Sequence, residues 1–309
     1  MIMREIPLFI INGFLESGKT TIIKEIIDNN EAYKNNSTVV IHCEDGEVEY
    51  DKEWCLNNKV HVEYVEDQAE LTPDFMRNID DIYHPNQIVI EYNSFFDWES
   101  QEFPNDMVIY QQITMIDAQT FNVMFNNMRQ IFQSMVKDSS LVIFNRCDGV
   151  KDLSAYRRWI RGMNQNAQIA FEGANGRLTA MLDEDLPYDL SKSEIAFEED
   201  VYPTWYIEVF DNPEKYMNKI FKFKTYVRDI TDNTFVIGRQ VMTCCEDDIQ
   251  FMGYEVINDT DSSVKVDDCI YLECSVEMAY SNIAENTVVM LRAHKISKLK
   301  KEKETILTL

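Results

Sequence analysis

The segment Gly13-Phe-Leu-Glu-Ser-Gly-Lys-Thr-Thr21 constrains the fold of this chain more than any other feature. It fits the pattern G-x-x-x-x-G-K-[ST], in which glycines let backbone N–H groups wrap around a phosphate. An apolar run at residues 6–12 precedes it, and residues 20–27 follow with apolar side chains at helical spacing. A strand, a glycine loop and a helix in this order predict a phosphate-binding loop at the positive end of the helix dipole. The alternative is an ordinary glycine-containing turn between a strand and a helix.

The loop pattern gives particular side chains a role. Lys19 is placed to reach the β- and γ-phosphates of a nucleoside triphosphate, which makes it a candidate catalytic residue. The Thr20 hydroxyl is placed to bind Mg²⁺, a cation that prefers oxygen ligands. The predicted nucleotide contacts in the loop are Gly13, Glu16, Ser17, Gly18, Lys19, Thr20 and Thr21.

Composition limits the partners and the compartment. A length of 309 residues suggests two domains, and a net charge of −25 disfavours nucleic acid, whose phosphates are bound by Lys and Arg. No apolar run reaches the ~18 residues of a membrane helix, and no cleavable signal pattern is present, so we expect a cytoplasmic protein without membrane insertion. The 7 cysteines, an odd number, indicate thiols or metal ligands rather than a disulfide framework.

Apolar runs alternate with helical patterns along the first two-thirds of the chain. The further predicted strands lie at 37–43, 60–65, 87–92, 107–117, 140–145 and 169–171, with a helical segment near 118–136. This alternation predicts an α/β fold of the P-loop NTPase class with a mostly parallel sheet. Ligands of such sheets bind at the carboxyl ends of the strands. Because Gly13, Glu91 and Asn145 all fall at strand ends, we expect them to converge on one edge of the sheet.

Two of these strand ends carry candidate nucleotide contacts. Glu91 could bind Mg²⁺ through a water or orient the attacking water; the alternative is a charge facing solvent. Asn145-Arg-Cys-Asp148 resembles the N-K-x-D guanine-reading motif of GTPases, with Arg146 in place of lysine. The Asp148 carboxylate would accept hydrogen bonds from guanine N1–H and N2–H₂, which adenine does not offer, so GTP is the expected nucleotide. Arg146 retains a flat cation able to stack on a base, although N-x-x-D is also a common turn.

These motifs, in this order, resemble the CobW branch of the CobW/HypB/UreG metallochaperone GTPases over roughly residues 5–180. That branch typically has a G-F-L-x-[AS]-G-K-T-T loop, an E-x-G-E-[IV]-x-x-D segment and N-K-x-D. The resemblance implies that Glu44, Glu47 and Asp51 lie in a nucleotide-responsive switch loop that couples the GTP state to metal insertion into a client protein. Glu47 is therefore, with Glu91, a candidate for orienting the attacking water.

The chain departs from the family pattern at two places. The usual Cys-x-Cys-Cys metal motif is missing, since residues 62–70 contain no cysteine. Residues 92–94 read Tyr-Asn-Ser where the family favours Thr-Ser/Thr-Gly. Substitute ligands near the switch loop would be His42, Cys43, Cys55 and His61, whose spacing matches no standard cluster; ordinary buried or surface roles are the alternative. The departures concern the metal site and hydrolysis rather than nucleotide binding.

The pattern changes in the last third of the chain. We expect a GTPase domain at 1–182, an acidic linker at 183–200, a β-rich domain at 201–297 and a basic tail at 298–309. The lysine-rich run 295–303 predicts a solvated helical tail. The predicted β segments lie near 204–209, 219–228, 233–238, 250–257, 269–278 and 287–296. Short strands without long intervening helices predict a small β-barrel, OB-like in type.

The stretch Phe235–Cys245, followed by Asp247, resembles the C-terminal domain of a bacterial permease-associated family linked to metal uptake. The likeness rests mainly on G-R-x-x-M-T-C-C-x-x-D, whose last position is Asp248, a further possible ligand. Cys244, Cys245 and Asp247 are candidate Zn²⁺ ligands, but adjacent cysteines share a face only at a turn or bulge. Buried structural cysteines are the alternative.

Two functions remain open from the sequence. The first is a GTPase whose slow, Mg²⁺-dependent hydrolysis drives the delivery of a metal, with zinc as the leading candidate, to a client protein or transporter. The second is a nucleotide-gated binding module with little turnover and no metal cargo. The sequence leaves the client unidentified and a homodimer open.

Overall fold

The computed structural model describes residues 4–30, 36–44, 46–151, 153–177, 186–231, 233–243, 248–300 and 302–309. The chain divides into two compact units. The N-terminal unit consists of Met1–Leu153 and Met163–Met181, and the C-terminal unit of Ser154–Gly162 and Leu182–Leu309. None of the helices among the described residues is long and apolar enough to span a membrane.

The N-terminal unit is built on a sheet whose strands come from the predicted apolar runs. In chain order these strands are β1 (Ile6–Asn12), β2 (Thr38–His42), β3 (Val60–Tyr64), β4 (Gln87–Glu91), β5 (Met107–Asp117), β6 (Leu141–Asn145), β7 (Gln168–Gly173) and β8 (Gly176–Arg177). Every residue of β2 and β4 is buried, as expected for central parallel strands covered on both faces. The continuous β-branched runs of the sequence are therefore explained by burial on both sides.

The strand order within the described residues is β3-β2-β4-β1-β5-β6-β7-β8. All pairings are parallel except that of the short β8 with β7. The helices of this unit are α1 (Lys19–Asn29), α2 (Lys52–Asn58), α3 (Pro73–Tyr83), α4 (Phe121–Asn127) and α5 (Arg129–Val136). The next helix, α6 (Leu153–Met163), belongs with Ser154–Gly162 to the C-terminal unit. The predicted α/β fold of the P-loop NTPase class is confirmed, and the helical segment near 118–136 consists of two helices, α4 and α5.

The C-terminal unit contains a closed β-barrel. Its strands are β9 (Glu194–Ala196), β10 (Ile220–Ile230), β11 (Thr234–Met242), β12 (Ile249–Asn258), β13 (Cys269–Ser281), β14 (Asn286–Lys298) and β15 (Leu307–Thr308). Five of them close in the order β10-β11-β12-β14-β13-β10, with β12 and β14 parallel and the other neighbours antiparallel. This is the expected OB-like barrel. Phe221, Phe223, Ile237 and Leu272 lie in its core.

One predicted strand is a helix. Residues 204–209 lie in helix α7 (Tyr202–Asp211), which is followed by the short α8 (Pro213–Tyr216). Pro203 stands in the first turn, where a missing N–H costs nothing. The aromatic and β-branched residues that suggested a strand are buried against the barrel: the Trp205 ring lies 4.8 Å from that of Phe223. Tertiary burial, and not local β-propensity, therefore explains this composition.

The described residues of the chain end form no helix, so the predicted helical tail over the run 295–303 is wrong. Strand β14 continues to Lys298, and β15 pairs in parallel with β11. Leu307 is buried, and the fully buried Arg239 of β11 donates to the carbonyl of Thr305 at 3.0 Å. The segment predicted as a linker also contains ordered structure, since β9 pairs with β10. Burial of a few apolar residues fixes segments whose overall composition is charged.

Candidate functional site

A cleft of about 380 Å³ lies at the carboxyl ends of the N-terminal strands. Its wall comprises the loop after β1 with the start of α1, Glu44 and residues 46–48, Glu91 and Arg146. The strand ends predicted to converge do so, because β1 lies between β4 and β5, and β5 lies next to β6. The site therefore takes its side chains from separate strands of one sheet edge.

The loop after β1 needs its two glycines. Gly13 has a φ of 145°, and a Cβ there would lie 2.4 Å from the carbonyl oxygen of Met115. Gly18 has a φ of 93°, and a Cβ there would lie 2.8 Å from Nδ2 of Asn145. Both positions have a φ that L side chains rarely adopt, and a Cβ at either would force a neighbouring atom to move. The glycines thus let the loop turn tightly into the N-terminus of α1.

The ammonium group of Lys19 lies inside this loop. The side chain is 3% exposed and donates to the carbonyl oxygens of Gly13 at 2.9 Å and Phe14 at 3.0 Å. It also forms an ion pair with the carboxylate of Glu44, from the acidic segment after β2. A buried cation is thus held at the centre of the loop, next to the N-terminus of α1.

Glu91 lies at the end of β4 and is 2% exposed. Its Oε1 accepts a hydrogen bond from the hydroxyl of Thr20 at 2.6 Å. Its Oε2 accepts from the hydroxyl of Tyr50 at 2.6 Å and lies 2.9 Å from Nδ1 of His42. The two predicted Mg²⁺ ligands, Thr20 and Glu91, are therefore in direct contact.

The hydrogen bonds determine the charge of this carboxylate. Burial by itself would raise the pKa of Glu91, but the hydrogen bonds from His42, Thr20 and Tyr50 outweigh it and hold the pKa below its ordinary value of 4.5. Burial, together with the neighbouring Glu91 charge, raises the pKa of Tyr50 well above its ordinary value. At neutral pH the pair is therefore an ionised carboxylate and a neutral phenol that donates to it.

The N-x-x-D segment donates hydrogen bonds to the phosphate loop. Asn145 Nδ2 donates to the carbonyl of Ser17 at 2.7 Å. Arg146 Nη1 donates to the carbonyl of Glu16 at 2.9 Å and to Asp117 Oδ2 at 2.6 Å. The guanidinium is therefore held under the loop by Asp117, at the end of β5, and the segment and the loop form one connected unit.

Asp148, the last residue of the N-x-x-D segment, is exposed. Its Oδ2 accepts from the backbone N–H of Ala174 at 2.7 Å, and a Cβ at Gly173 would lie 2.8 Å from its Oδ1. Gln119 Nε2 donates to the carbonyls of Arg146 at 2.8 Å and Asp148 at 3.0 Å. The Asp148 carboxylate is thus positioned by the turn after β7 and by the turn after β5.

Sequence reasoning missed the roles of several of these residues: His42, considered only as a metal ligand, and Tyr50 around Glu91, Asp117 at the end of β5, Gln119 after it, and the turn at Gly173 and Ala174. A signal existed for most of them, because they end or follow strands of the parallel sheet. Nothing in the local sequence indicated that Tyr50 contacts Glu91.

The predicted Zn²⁺ ligands Cys244, Cys245 and Asp247 lie outside the described residues. Cys274, on β13, is buried in the barrel core. Burial raises its thiol pKa.

The possible substitute ligands near the acidic segment do not come together. His42 contacts Glu91, whereas His61 packs on the ring of Tyr83 with centroids 4.7 Å apart. Cys43 is a buried free thiol and Cys55 a partly exposed one. Among the described residues no group of three or more His, Cys, Asp or Glu side chains is placed to hold a metal ion.

The parallel sheet and its glycine loop are those of a P-loop NTPase. The sequence matches the family model "CobW/HypB/UreG, nucleotide-binding domain" over residues 7–171, more than half of the chain. The chain therefore belongs to the CobW/HypB/UreG family. A second model, "DUF1980 C-terminal domain", matches residues 175–306. Both resemblances expected from the motifs are confirmed.

Several solved structures are similar to this chain. Zn(II)-bound YjiA GTPase from E. coli is 17% identical with a TM-score of 0.42, and the matched region covers 76% of this chain and 86% of the YjiA chain. Hydrogenase maturation factor HypB from Archaeoglobus fulgidus is 13% identical with a TM-score of 0.40, covering 55% and 82%. HypB from Helicobacter pylori in complex with nickel is 13% identical with a TM-score of 0.37, covering 55% and 80%. No curated relative matches the sequence.

Proposed function

We propose that this protein binds GTP with Mg²⁺, hydrolyses it slowly, and uses the cycle to deliver a metal ion, with zinc as the leading candidate, to a client protein or transporter. The observation that carries the proposal is the meeting of Lys19, the Thr20–Glu91 pair and the Asn145–Asp148 segment at one sheet edge. Family membership supports the guanine nucleotide and the metal cargo.

Guanine selection is proposed to rest on Asp148. A carboxylate oxygen accepts more than one hydrogen bond, so the contact with Ala174 leaves acceptor capacity for guanine N1–H and N2–H₂. Gln119 supports the backbone on which Asp148 stands. Arg146 is held by Asp117 and the Glu16 carbonyl, which fixes its position beside the loop. Adenine, which lacks those two donors, would leave the carboxylate without its partners.

The residues present suit a magnesium ion. Thr20 Oγ1 and Glu91 Oε1 are oxygen atoms 2.6 Å apart at the cleft wall, the hard donor type that Mg²⁺ requires. When bound, the ion would neutralise phosphate charge. Thr20 would serve as a ligand, while Glu91, already fixed by Tyr50 and His42, would hold Thr20 or a bound water in position.

Slow turnover is expected from the state of Glu91. Both of its oxygens already accept hydrogen bonds from the protein, which restricts its use for orienting the attacking water. Glu47 is the remaining predicted candidate, and its exposed side chain lines the cleft. Lys19 and the loop N–H groups would supply the charge stabilisation on which phosphoryl transfer mainly depends.

We expect GTP to bind at least about tenfold tighter than ATP, because each hydrogen bond to a charged group contributes about 1.5–3 kcal/mol. We expect Asp148→Asn to change the preferred base from guanine to xanthine. Asparagine offers one acceptor and one donor, which match the N1–H and the C2 carbonyl of xanthine rather than the two donors of guanine. Calorimetric titration of wild type and variant with GTP, ATP and XTP measures this. GTP affinity should fall about 100-fold while XTP affinity rises.

The gain for XTP is the internal control, since a misfolded variant gains nothing. Equal affinities of the wild type for GTP and ATP would refute the guanine assignment.

Metal delivery predicts that zinc affects turnover. Purified protein should retain zinc or bind it on addition, and GTP hydrolysis should change when Zn²⁺ is supplied at fixed Mg²⁺. Metal analysis and a phosphate-release assay on the same sample measure both quantities. If hydrolysis ignores Zn²⁺ and no metal is retained, the delivery role is excluded.

The second candidate is the nucleotide-gated binding module. It is favoured by the same engagement of Glu91, because a site whose buried carboxylate is already held by protein donors can bind GTP and barely turn it over. Tight GTP binding with turnover close to that of free GTP in solution would select this function.

A further inference from the structure

The ammonium group of Lys19 has no spare hydrogen bond in this structure. It has three N–H donors, and within the described chain it contacts three acceptors: the Gly13 carbonyl, the Phe14 carbonyl and the Glu44 carboxylate. The two carbonyls belong to the loop backbone that shapes the site. Glu44 is the acceptor that can leave by a side-chain rotation. A phosphate that reaches Lys19 must therefore take the place of Glu44.

We propose that Glu44 is a built-in competitor of the nucleotide: its carboxylate occupies the phosphate position on Lys19, and a β- or γ-phosphate must displace it. The inference rests on the proposed function, because it takes the cleft to be a nucleotide site. The side chains of Lys19 and Glu44 are 3% and 10% exposed, so the pair is poorly screened by water. A phosphate and a carboxylate on one ammonium would repel each other, which excludes joint occupancy.

The competition reaches the rest of the acidic segment. Glu44 stands at its start, and Tyr50, near its end, is anchored on Glu91 by a hydrogen bond of 2.6 Å. Between them, the backbone N–H of Glu47 donates to Glu16 Oε1 at 2.9 Å, and Val48 is 42% exposed. Displacing Glu44 frees one end of the segment while Tyr50 holds the other. Nucleotide binding would thereby change residues 46–49, which lie at the surface.

The competition also sorts ligands by the length of their phosphate chain. In this loop pattern the lysine contacts the β- and γ-phosphates, so only di- and triphosphates need to displace Glu44. A guanosine monophosphate leaves Lys19 with its internal partner.

Replacing the competitor should strengthen binding of the longer nucleotides. Calorimetric titrations of wild type, Glu44→Gln and Glu49→Gln with GMP, GDP and GTP test this. For Glu44→Gln we expect GDP and GTP to bind about tenfold tighter with GMP unchanged, since the binding-competent state is no longer blocked. Glu49→Gln removes one charge from an exposed side chain of the same segment, and it should match the wild type for all three ligands.

Hydrogen exchange supplies a second measurement without nucleotide. In Glu44→Gln the amides of residues 46–49 should exchange faster than in the wild type, to about the rate that the wild type reaches with GTP. Unchanged or weaker GTP affinity of Glu44→Gln, in a wild type that does bind GTP, would overturn the inference. A wild type that binds no guanine nucleotide would instead refute the proposed function. Unaltered amide exchange at residues 46–49 in nucleotide-free Glu44→Gln would overturn the competitor role, whether or not the wild type binds a guanine nucleotide.

Discussion

Replacing Lys19 with alanine is expected to abolish GTP binding. Lys19 is the buried cation at the centre of the loop, and the second cation of the cleft wall, Arg146, is already held by Asp117 and the Glu16 carbonyl. Charge-assisted hydrogen bonds to two phosphates would be lost together, so the affinity should fall by more than roughly 100-fold. Calorimetry with GTP and Mg²⁺ on wild type and variant measures the loss.

Two controls separate this effect from misfolding. Lys137→Ala removes the same charge from a surface ion pair with Glu99 in the same unit, and it should bind GTP like the wild type. Lys19→Ala also leaves Glu44 without its buried partner, a change that can itself destabilise a protein. The double variant with Glu44→Gln removes that uncompensated charge and should still fail to bind. Normal GTP binding by Lys19→Ala would show that the loop is not a phosphate site.

The N-terminal sheet was predictable because its strands are buried on both faces. Continuous runs such as residues 87–91 carry few polar side chains and end in a residue at the sheet edge. Since ligands of parallel sheets bind at that edge, the meeting of Gly13, Glu91 and Asn145 followed from strand ends alone. Local sequence was sufficient to predict the position of a side chain wherever that position follows from the end of a single strand.

The network around Glu91 depended on information that local sequence does not carry. His42 reaches Glu91 because β2 lies beside β4 with these two residues in register. Tyr50 reaches it because the acidic segment folds back over the sheet edge. Strand order and the path of an irregular segment are set by the packing of the whole unit. The same reason explains why the barrel's last segment was misjudged: its lysines dominate the composition, whereas Leu307 and the contact with Arg239 determine its place.

Replacing Glu91 is expected to cost the N-terminal unit more stability than any other single carboxylate change proposed here. Three donors point at its buried oxygens: the hydroxyls of Thr20 and Tyr50 and the ring N–H of His42. Glu91→Leu leaves all three unsatisfied, so the unfolding free energy should fall by about 3 kcal/mol. Glu91→Gln keeps the shape and one acceptor, and it should cost about half as much. Hydrogen exchange of the β4 amides in rising urea measures the opening free energy of this unit.

A matched control is Glu63→Gln, which changes another strand glutamate that accepts a hydrogen bond from a tyrosine, Tyr83, outside the cleft. It should cost less than about 1 kcal/mol because that pair is only partly buried. A cost for Glu91→Gln no larger than that of Glu63→Gln would contradict the role of the network.

The pH dependence of the Glu91 effect has a definite sign. The pKa of Glu91 lies below its ordinary value of 4.5, so its contribution to stability is complete above that pH and is lost as the pH falls toward the lower folded value. The difference in unfolding free energy between wild type and Glu91→Gln should therefore be constant from about pH 8 to about pH 5 and shrink below about pH 4.5.

The same variant should lose the Mg²⁺-dependent part of GTP binding at neutral pH, because a neutral amide beside Thr20 no longer attracts the cation. A Glu91→Gln protein that keeps wild-type Mg²⁺ dependence but loses stability would make Glu91 a structural anchor of Tyr50 and His42 and exclude it from the metal site.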